Sequence, residues 1–216
     1  ILGITPKATA APAWSCNSLS LKIQDSLGLD YSSDTRGRLP FYPRLNGRVF
    51  KTLQIPTNQP CIEELIGPDF VNNDTLVEFQ ISRLHIGIPN VVTIHAEVEG
   101  GIYKEEFDQF LKKTISMGYE YVSLNIIANH FRDSPIMDIN YAFIPGGSGL
   151  VASSILLPLS YLNFSKIILP PPPHTHTHCQ FLIFSSRCIN VQYVIYKKDC
   201  VTLSLIQQKY ENKKEA

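Results

Sequence analysis

No sign of charge dominates this sequence: 19 Lys and Arg balance 19 Asp and Glu over 216 residues. That removes the electrostatic case for a nucleic-acid partner or a strongly anionic surface. Cysteine is sparse, five residues with no CxxC spacing. Such thiols read as reduced and mostly buried, not as a disulfide frame or a zinc knuckle. The N-terminus lacks a basic region followed by an apolar run, so no signal peptide is expected. An initiator methionine is also lacking, and the chain is read as part of a longer protein. The longest apolar run, Leu150 to Leu169, is broken by Pro158 and carries Lys166. It makes a poor spanning helix, although it allows contact with a membrane surface. No internal repeat is evident.

What is present is an alternation of strand and helix signals. Residues 7–14 read as a short strand ending in a loop of small residues. Ser18 is expected to cap a helix carrying Leu19, Ile23 and Leu27 at four-residue spacing, closed by Gly28. Residues 29–32 form a short strand that runs into the polar loop Ser33-Asp34-Thr35-Arg36-Gly37. Residues 38–50 show no clear period, with Pro40, Pro43 and Gly47 as punctuation. A strand at 52–55 is stopped by Pro56, and residues 62–66 make one or two helical turns. Thr75-x-x-Glu78 fits a capping box for a helix with Leu76, Val77, Ile81 and Leu84 on one side. The helix from about Tyr103 to Met117 is the clearest: acids come early, lysines late, and Gly118 closes it. A strand at 119–124 and a short helix at 126–131 follow. Residues 1–132 thus imply an α/β fold with parallel strands, in which chemistry sits where strands end and loops begin.

Residues 133–216 differ in character. Asp138 to Leu150 adds a strand and a glycine-rich turn. Pro170 to Pro173 is a polyproline spacer before His174, His176, His178 and Cys179. In an extended chain those histidines share a face and could bind zinc or nickel weakly, but no second cluster completes a tetrahedral site, and a solvated linker is the simpler reading. Apolar strand-like runs lie at 181–184 and 191–196.

The most suggestive stretch is Thr93-Ile94-His95-Ala96-Glu97-Val98-Glu99-Gly100-Gly101. His95 falls where a buried strand reaches solvent. If the chain stays extended, His95, Glu97 and Glu99 share one face, which suits proton chemistry. A solvated strand end with acids is the alternative. Trp14 and Asp34 fall at comparable strand ends. Asp34 has its own structural alternative, a hydrogen bond to its own turn. His85 and His130, at helix ends, have no chemical role assigned.

The ordered segments Ala10-Ala11-Pro12-x-Trp14, Ser33-Asp34-x-Arg36-Gly37, Pro40-Phe41-x-Pro43, Leu53-Gln54-Ile55-Pro56-Thr57 and Thr93-Ile94-His95-Ala96-Glu97-x-Glu99-Gly100 together resemble one family. It is the formamido-arabinose–phosphoundecaprenol deformylases, a branch of the polysaccharide deacetylases that share the NodB-homology domain. The resemblance runs from the first residue to about Phe131 and covers the family's C-terminal half, with a faint remnant near residues 144–149. It implies a partial deformed (β/α)7-type barrel for residues 1–132, with residues 133–216 an irregular C-terminal tail.

That resemblance also implies a hydrolase acting on carbon–nitrogen bonds other than peptide bonds. Its substrate class would be a lipid-linked amino sugar, its setting lipid A modification and resistance to cationic peptides, and its place the cytoplasmic membrane face. A divalent metal ion is implied as cofactor; in the family its ligands precede the Ala-Ala-Pro-x-Trp segment, so they would lie upstream of this chain, and no metal ligand is assigned within it. His95 matches the histidine that protonates the departing amine, and Asp34 the loop aspartate that orients it. Trp14 would line the sugar pocket, with Arg36, Glu97 and Glu99 as further substrate-binding candidates. Ser15 stands where the family usually has arginine. That departure and the missing metal half support a different class of function: a non-catalytic remnant that binds carbohydrate or, through its histidine tract, metal.

Overall fold

A computed structural model describes residues 6–66, 72–144 and 149–154, together with the backbone of residues 190–196. The sequence runs of 155–189, which include the polyproline and histidine tracts and the apolar run at 181–184, lie outside the described residues, as does the charged end.

The chain opens with β1 (Ala8–Thr9), a single tight turn at Pro12–Trp14, α1 (Ser18–Leu27), β2 (Tyr31–Ser32), β3 (Tyr42–Leu45), β4 (Arg48–Val49) and β5 (Leu53–Gln54). It continues with α2 (Ile62–Leu65), α3 (Asn73–Ser82) and β6 (Asn90–His95), then a wide helical turn at Val98–Ile102. α4 (Lys104–Ser116), β7 (Glu120–Val122), α5 (Leu124–His130), β8 (Ile136–Asp138), β9 (Asn140–Phe143) and β10 (Leu150–Ser153) follow, and β11 (Asn190–Tyr196) is the last. The mixed α/β class is as the sequence implies. The described strands form short separate sheets and close no barrel.

β1, β2 and β5 are parallel neighbours in the order β1-β2-β5. Beyond β5 the Asn58 side chain joins the sheet to β6: it accepts the Val91 N–H at 2.8 Å and donates to the Pro89 carbonyl at 2.7 Å. β6 is apolar and buried on both faces. Val91 packs with Leu53, Ile55, Ile127 and Ala128, whereas Val92 packs with Val77 and Ile81 of α3, Phe110 of α4 and Tyr119, the residue before β7. Adjacent residues point to opposite faces of the strand, and both faces are covered. β6 and β7 are not neighbours, because β11 lies between them, antiparallel to both.

Residues past 132 join the earlier elements. β8 pairs in parallel with β3, β9 pairs with β10, and Ile139 and Ala152 share a core with Cys16, Leu21, Phe41 and Phe50. The unperiodic stretch 38–50 is a hairpin. β3 and β4 pair antiparallel through Asn46-Gly47, both with positive φ (52° and 76°), the primed turn that suits the twist of a two-residue hairpin.

Three local expectations shift. The cap of α1 is Asn17, whose side chain accepts from the Leu19 and Ser20 N–H groups, not Ser18. Gly28 closes the helix with φ of 62°, a conformation that favours glycine. The cap of α3 is Asn72, and Thr75 lies inside its first turn instead of starting it. Leu19, Ile23 and Leu27 of α1 are exposed, while Leu21 and Gln24 face inward.

Candidate functional site

Two groups of the expected residues gather at strand ends. The first is built on Asp34, which is fully buried at the end of β2. Its Oδ1 accepts the Ala11 N–H at 2.7 Å, and its Oδ2 accepts from Ser32 Oγ at 3.1 Å and from the Gln24 amide. The Asp34 N–H donates to Gln54 Oε1 at 3.2 Å, and Gln54 Nε2 donates back to Gln24 at 3.3 Å. The carboxylate therefore ties β1, α1, β2 and β5 into one polar node, a satisfied buried network of the kind that fixes geometry.

Above this node the Ala11–Trp14 segment turns tightly. Ala13 and Trp14 both have positive φ, 52° and 50°. Each costs about 1–2 kcal/mol for a residue with a side chain. The Asp34–Ala11 hydrogen bond anchors the strained turn from below. Arg36 covers it from the side, with its guanidinium carbon 4.5 Å from the centroid of the Trp14 ring. Arg36 Nη1 also contacts both carboxylate oxygens of Glu64, at 3.1 and 3.2 Å, and both side chains are nearly buried. Glu64 also accepts the Cys61 N–H at 3.2 Å, capping α2. The Arg36 backbone bridges to Thr57 on one side and Ser153 on the other. The next residue has no room for a side chain: a Cβ on Gly37 would collide with Ser154 Oγ and meet Pro56 Cβ at 3.0 Å.

The second group is built on His95, the last residue of β6, half-buried as the sequence implies. The chain does not stay extended beyond it. Glu97 has helical backbone angles (φ −74°, ψ −20°), and the wide turn at Val98–Ile102 follows. Glu97 therefore points out as an exposed residue, and the common face expected for His95, Glu97 and Glu99 is not formed. Instead Glu99 folds back: it is 3 % exposed, and its Oε2 accepts the His95 N–H at 2.7 Å. Burial outweighs that hydrogen bond and pushes the Glu99 carboxyl up to about 7, with Glu63 and Glu97 adding repulsion.

The carboxylate against His95 is Glu63 of α2, whose Oε1 is in ion-pair contact with Nδ1. Nδ1 is buried and, among the described residues, makes no hydrogen bond. A carboxylate can only accept, so a hydrogen on Nδ1 is the one that suits this contact, which leaves Nε2 as the ring nitrogen away from Glu63. α2 holds Glu63 there because Ile62 and Leu65 are buried against Leu76 and Tyr103, with Val98 packed alongside. The hydrogen bonds of Asp34 among the described residues go to Ala11, Gln24, Ser32 and Gln54. None of these bonds is to His95, and the carboxylate that lies against the ring is Glu63. The sequence reading did not include Glu63 or Glu64, and the adjacent acids opening α2 were the available signal.

No protein-family model matches the chain. Curated proteins do. The chain is 33 % identical over 148 residues to a probable 4-deoxy-4-formamido-L-arabinose-phosphoundecaprenol deformylase of Wigglesworthia glossinidia brevipalpis, a match covering 66 % of this chain and 51 % of that protein. It is 30 % identical over 142 residues to the protein of the same name from Shewanella sediminis, covering 65 % of this chain and 45 % of the relative. The likeness is to the formamido-arabinose–phosphoundecaprenol deformylases. The chain spans about half the length of the curated relatives it matches.

The divalent metal that this likeness implies finds no ligand set here: among the described residues, no three His, Cys, Asp or Glu side chains are grouped to hold an ion. No helix among them is long and apolar enough to cross a membrane.

Proposed function

We propose that this chain supplies the histidine side of a deformylase site, one that hydrolyses an N-formyl amide on a lipid-linked amino sugar. The observation that carries the reading is the His95 group: a half-buried imidazole at the end of β6, with Nδ1 against Glu63 and its own N–H held by buried Glu99. The relatives' names supply the substrate class. In the reaction a water oxygen bonds to the formyl carbon, the carbon–nitrogen bond breaks, and formate and a free amine leave. As an imidazolium, with a hydrogen on each ring nitrogen, His95 gives the amine its proton from Nε2 and is left neutral with Nδ1–H toward Glu63; the proton that the attacking water sheds restores the charge. The ring of Trp14 faces the sugar. A partial barrel of the deacetylase kind, a bound divalent metal and work at a membrane face belong to the same proposal. The described residues make no site for that metal, and the step assigned to His95 does not depend on one being placed here.

The test has two parts. Antibodies to residues 1–130 measure the mass of the natural product in its source. Formate release from formamido-arabinose–phosphoundecaprenol in detergent is then assayed with that product, in parallel with H95A. The expected result is release that falls by about 10²–10⁴-fold in H95A, the usual contribution of a positioned proton donor. Equal release by H95A overturns the role of His95. A natural product of 24.3 kDa that releases no formate favours the second reading, a non-catalytic carbohydrate-binding protein, to which Ser15 and the lack of a metal ligand group among the described residues also point.

A further inference from the structure

Three anchors converge on one aromatic ring. Ala13 and Trp14 sit in consecutive left-handed conformations, which residues with side chains adopt only when their surroundings hold them there. Asp34 holds the start of that turn through the Ala11 N–H. Arg36 holds its end, lying 4.5 Å from the Trp14 ring centroid. Arg36 is itself held: its backbone is bridged on both sides, Gly37 is packed against Ser154 and Pro56, and its side chain is only 12 % exposed. Glu64 completes the stack beneath it, with both oxygens on Nη1 and a side chain 6 % exposed.

Strain held by buried charges is unusual expense for a ring that is not core. Trp14 remains half-buried, so one face is covered by the guanidinium and ring surface is left over. Rigid aromatic surface of this kind suits the apolar C–H face of a sugar. The commitment of Arg36 to Glu64 and Trp14 also argues against its serving as a charge that grips substrate.

We propose that Glu64 and Arg36 form a clamp that sets Trp14 as a one-sided sugar platform, with Arg36 and Glu64 acting as positioning residues. The sugar part of this inference rests on the functional reading above; the clamp itself does not. The broader consequence is that sugar affinity is governed by a pair that does not touch the sugar.

Trp14 is the only tryptophan in the sequence, so its fluorescence reports this site alone. The full chain is compared with R36M/E64Q, which removes both charges together and leaves neither buried alone. R36K keeps the charge but loses the planar stack. The ligand probe is a soluble methyl glycoside of 4-formamido-4-deoxy-L-arabinose, titrated by Trp14 emission. In R36M/E64Q with unchanged far-ultraviolet circular dichroism, emission shifts to the red, acrylamide quenching rises, and the glycoside Kd rises about two- to fivefold, the scale of a lost cation–π contact. R36K falls between. Unchanged emission and quenching in the folded double variant overturns the clamp. If the double variant does not fold, R36K decides by the same criteria. A shifted emission with no saturable glycoside response in the unmodified chain upholds the clamp and overturns the sugar reading.

Discussion

Asp34 and Glu99 are both buried carboxylates near strand ends, yet their surroundings differ in kind. Asp34 accepts from a backbone N–H, a hydroxyl and an amide that belong to three different elements. Among the described residues Glu99 accepts from backbone N–H groups, those of His95 and of Glu99 itself, and burial pushes its carboxyl up to about 7. The first carboxylate is saturated and ties the sheet together. The second is under-solvated and sits one hydrogen bond from the proposed proton donor. The comparison teaches that a strand-end position does not by itself make a residue chemical. The number and kind of its donors decide whether it is scaffold or site.

The largest effect expected from breaking this contrast is at the scaffold end. D34A leaves the Ala11, Ser32 and Gln24 donors buried without their acceptor, and it is expected to lower unfolding free energy by at least about 3 kcal/mol. H95A, which removes a half-buried ring and keeps the backbone bond to Glu99, is expected to cost less than about 1 kcal/mol. Urea unfolding of the two variants measures both. Similar losses would show that the two ends are not distinct in kind.

Much of this division was legible in the sequence, and the rest failed for identifiable reasons. β6 and the end position of His95 follow from an apolar run between Pro89 and a glycine pair. α4 follows from its apolar stripe and charge order, and acids do open it while Lys113 lies in its last turn. The α1 stripe of Leu19, Ile23 and Leu27 pointed to the wrong face. The inward face includes Gln24, recruited by Asp34, and periodicity cannot anticipate a polar residue buried to complete a network. The shared face of His95, Glu97 and Glu99 failed because the strand gives way to a helical turn at Glu97. Glu63 was invisible for a different reason: it lies 32 residues before His95 in the sequence, and only the burial of Ile62 and Leu65 brings α2 to the end of β6. The hairpin at 42–49, by contrast, could have been found. Asn46-Gly47 is the usual signal for its turn, obscured by the prolines around it.

A smaller effect sharpens the chemical end. The Glu99 carboxyl titrates near 4.5 when unfolded and is pushed up to about 7 by burial when folded. Between those values the folded state binds more protons than the unfolded state, so stability is greatest below about 4.5 and falls as pH rises toward 7. The slope contributed by this one group is at most about 1.4 kcal/mol per pH unit. E99Q keeps an oxygen for the His95 N–H and removes the titration. Its unfolding free energy, measured in urea from pH 5 to 8, is expected to lose this fall relative to the unmodified chain. Parallel curves for the two proteins would mean that Glu99 ionises without cost and that the contrast with Asp34 has another origin.

The smallest effect expected is on a single hydrogen. With Glu63 against Nδ1, the neutral His95 ring should carry its proton there, leaving Nε2 bare. Nitrogen chemical shifts of the imidazole in a histidine-labelled sample distinguish the two neutral tautomers directly. E63Q offers a carbonyl oxygen in place of the carboxylate and is expected to keep the Nδ1–H form. E63A removes the acceptor and is expected to move the population toward Nε2–H. The change requires no catalysis to be seen, so it separates the placement of His95 from the activity proposed for it. A tautomer indifferent to E63A would mean that Glu63 is only a neighbour in space. The ring would then be held by the packing of α2 and the Val98–Ile102 turn alone, and the chemical end of the molecule would resemble the scaffold end more closely than its hydrogen bonds imply.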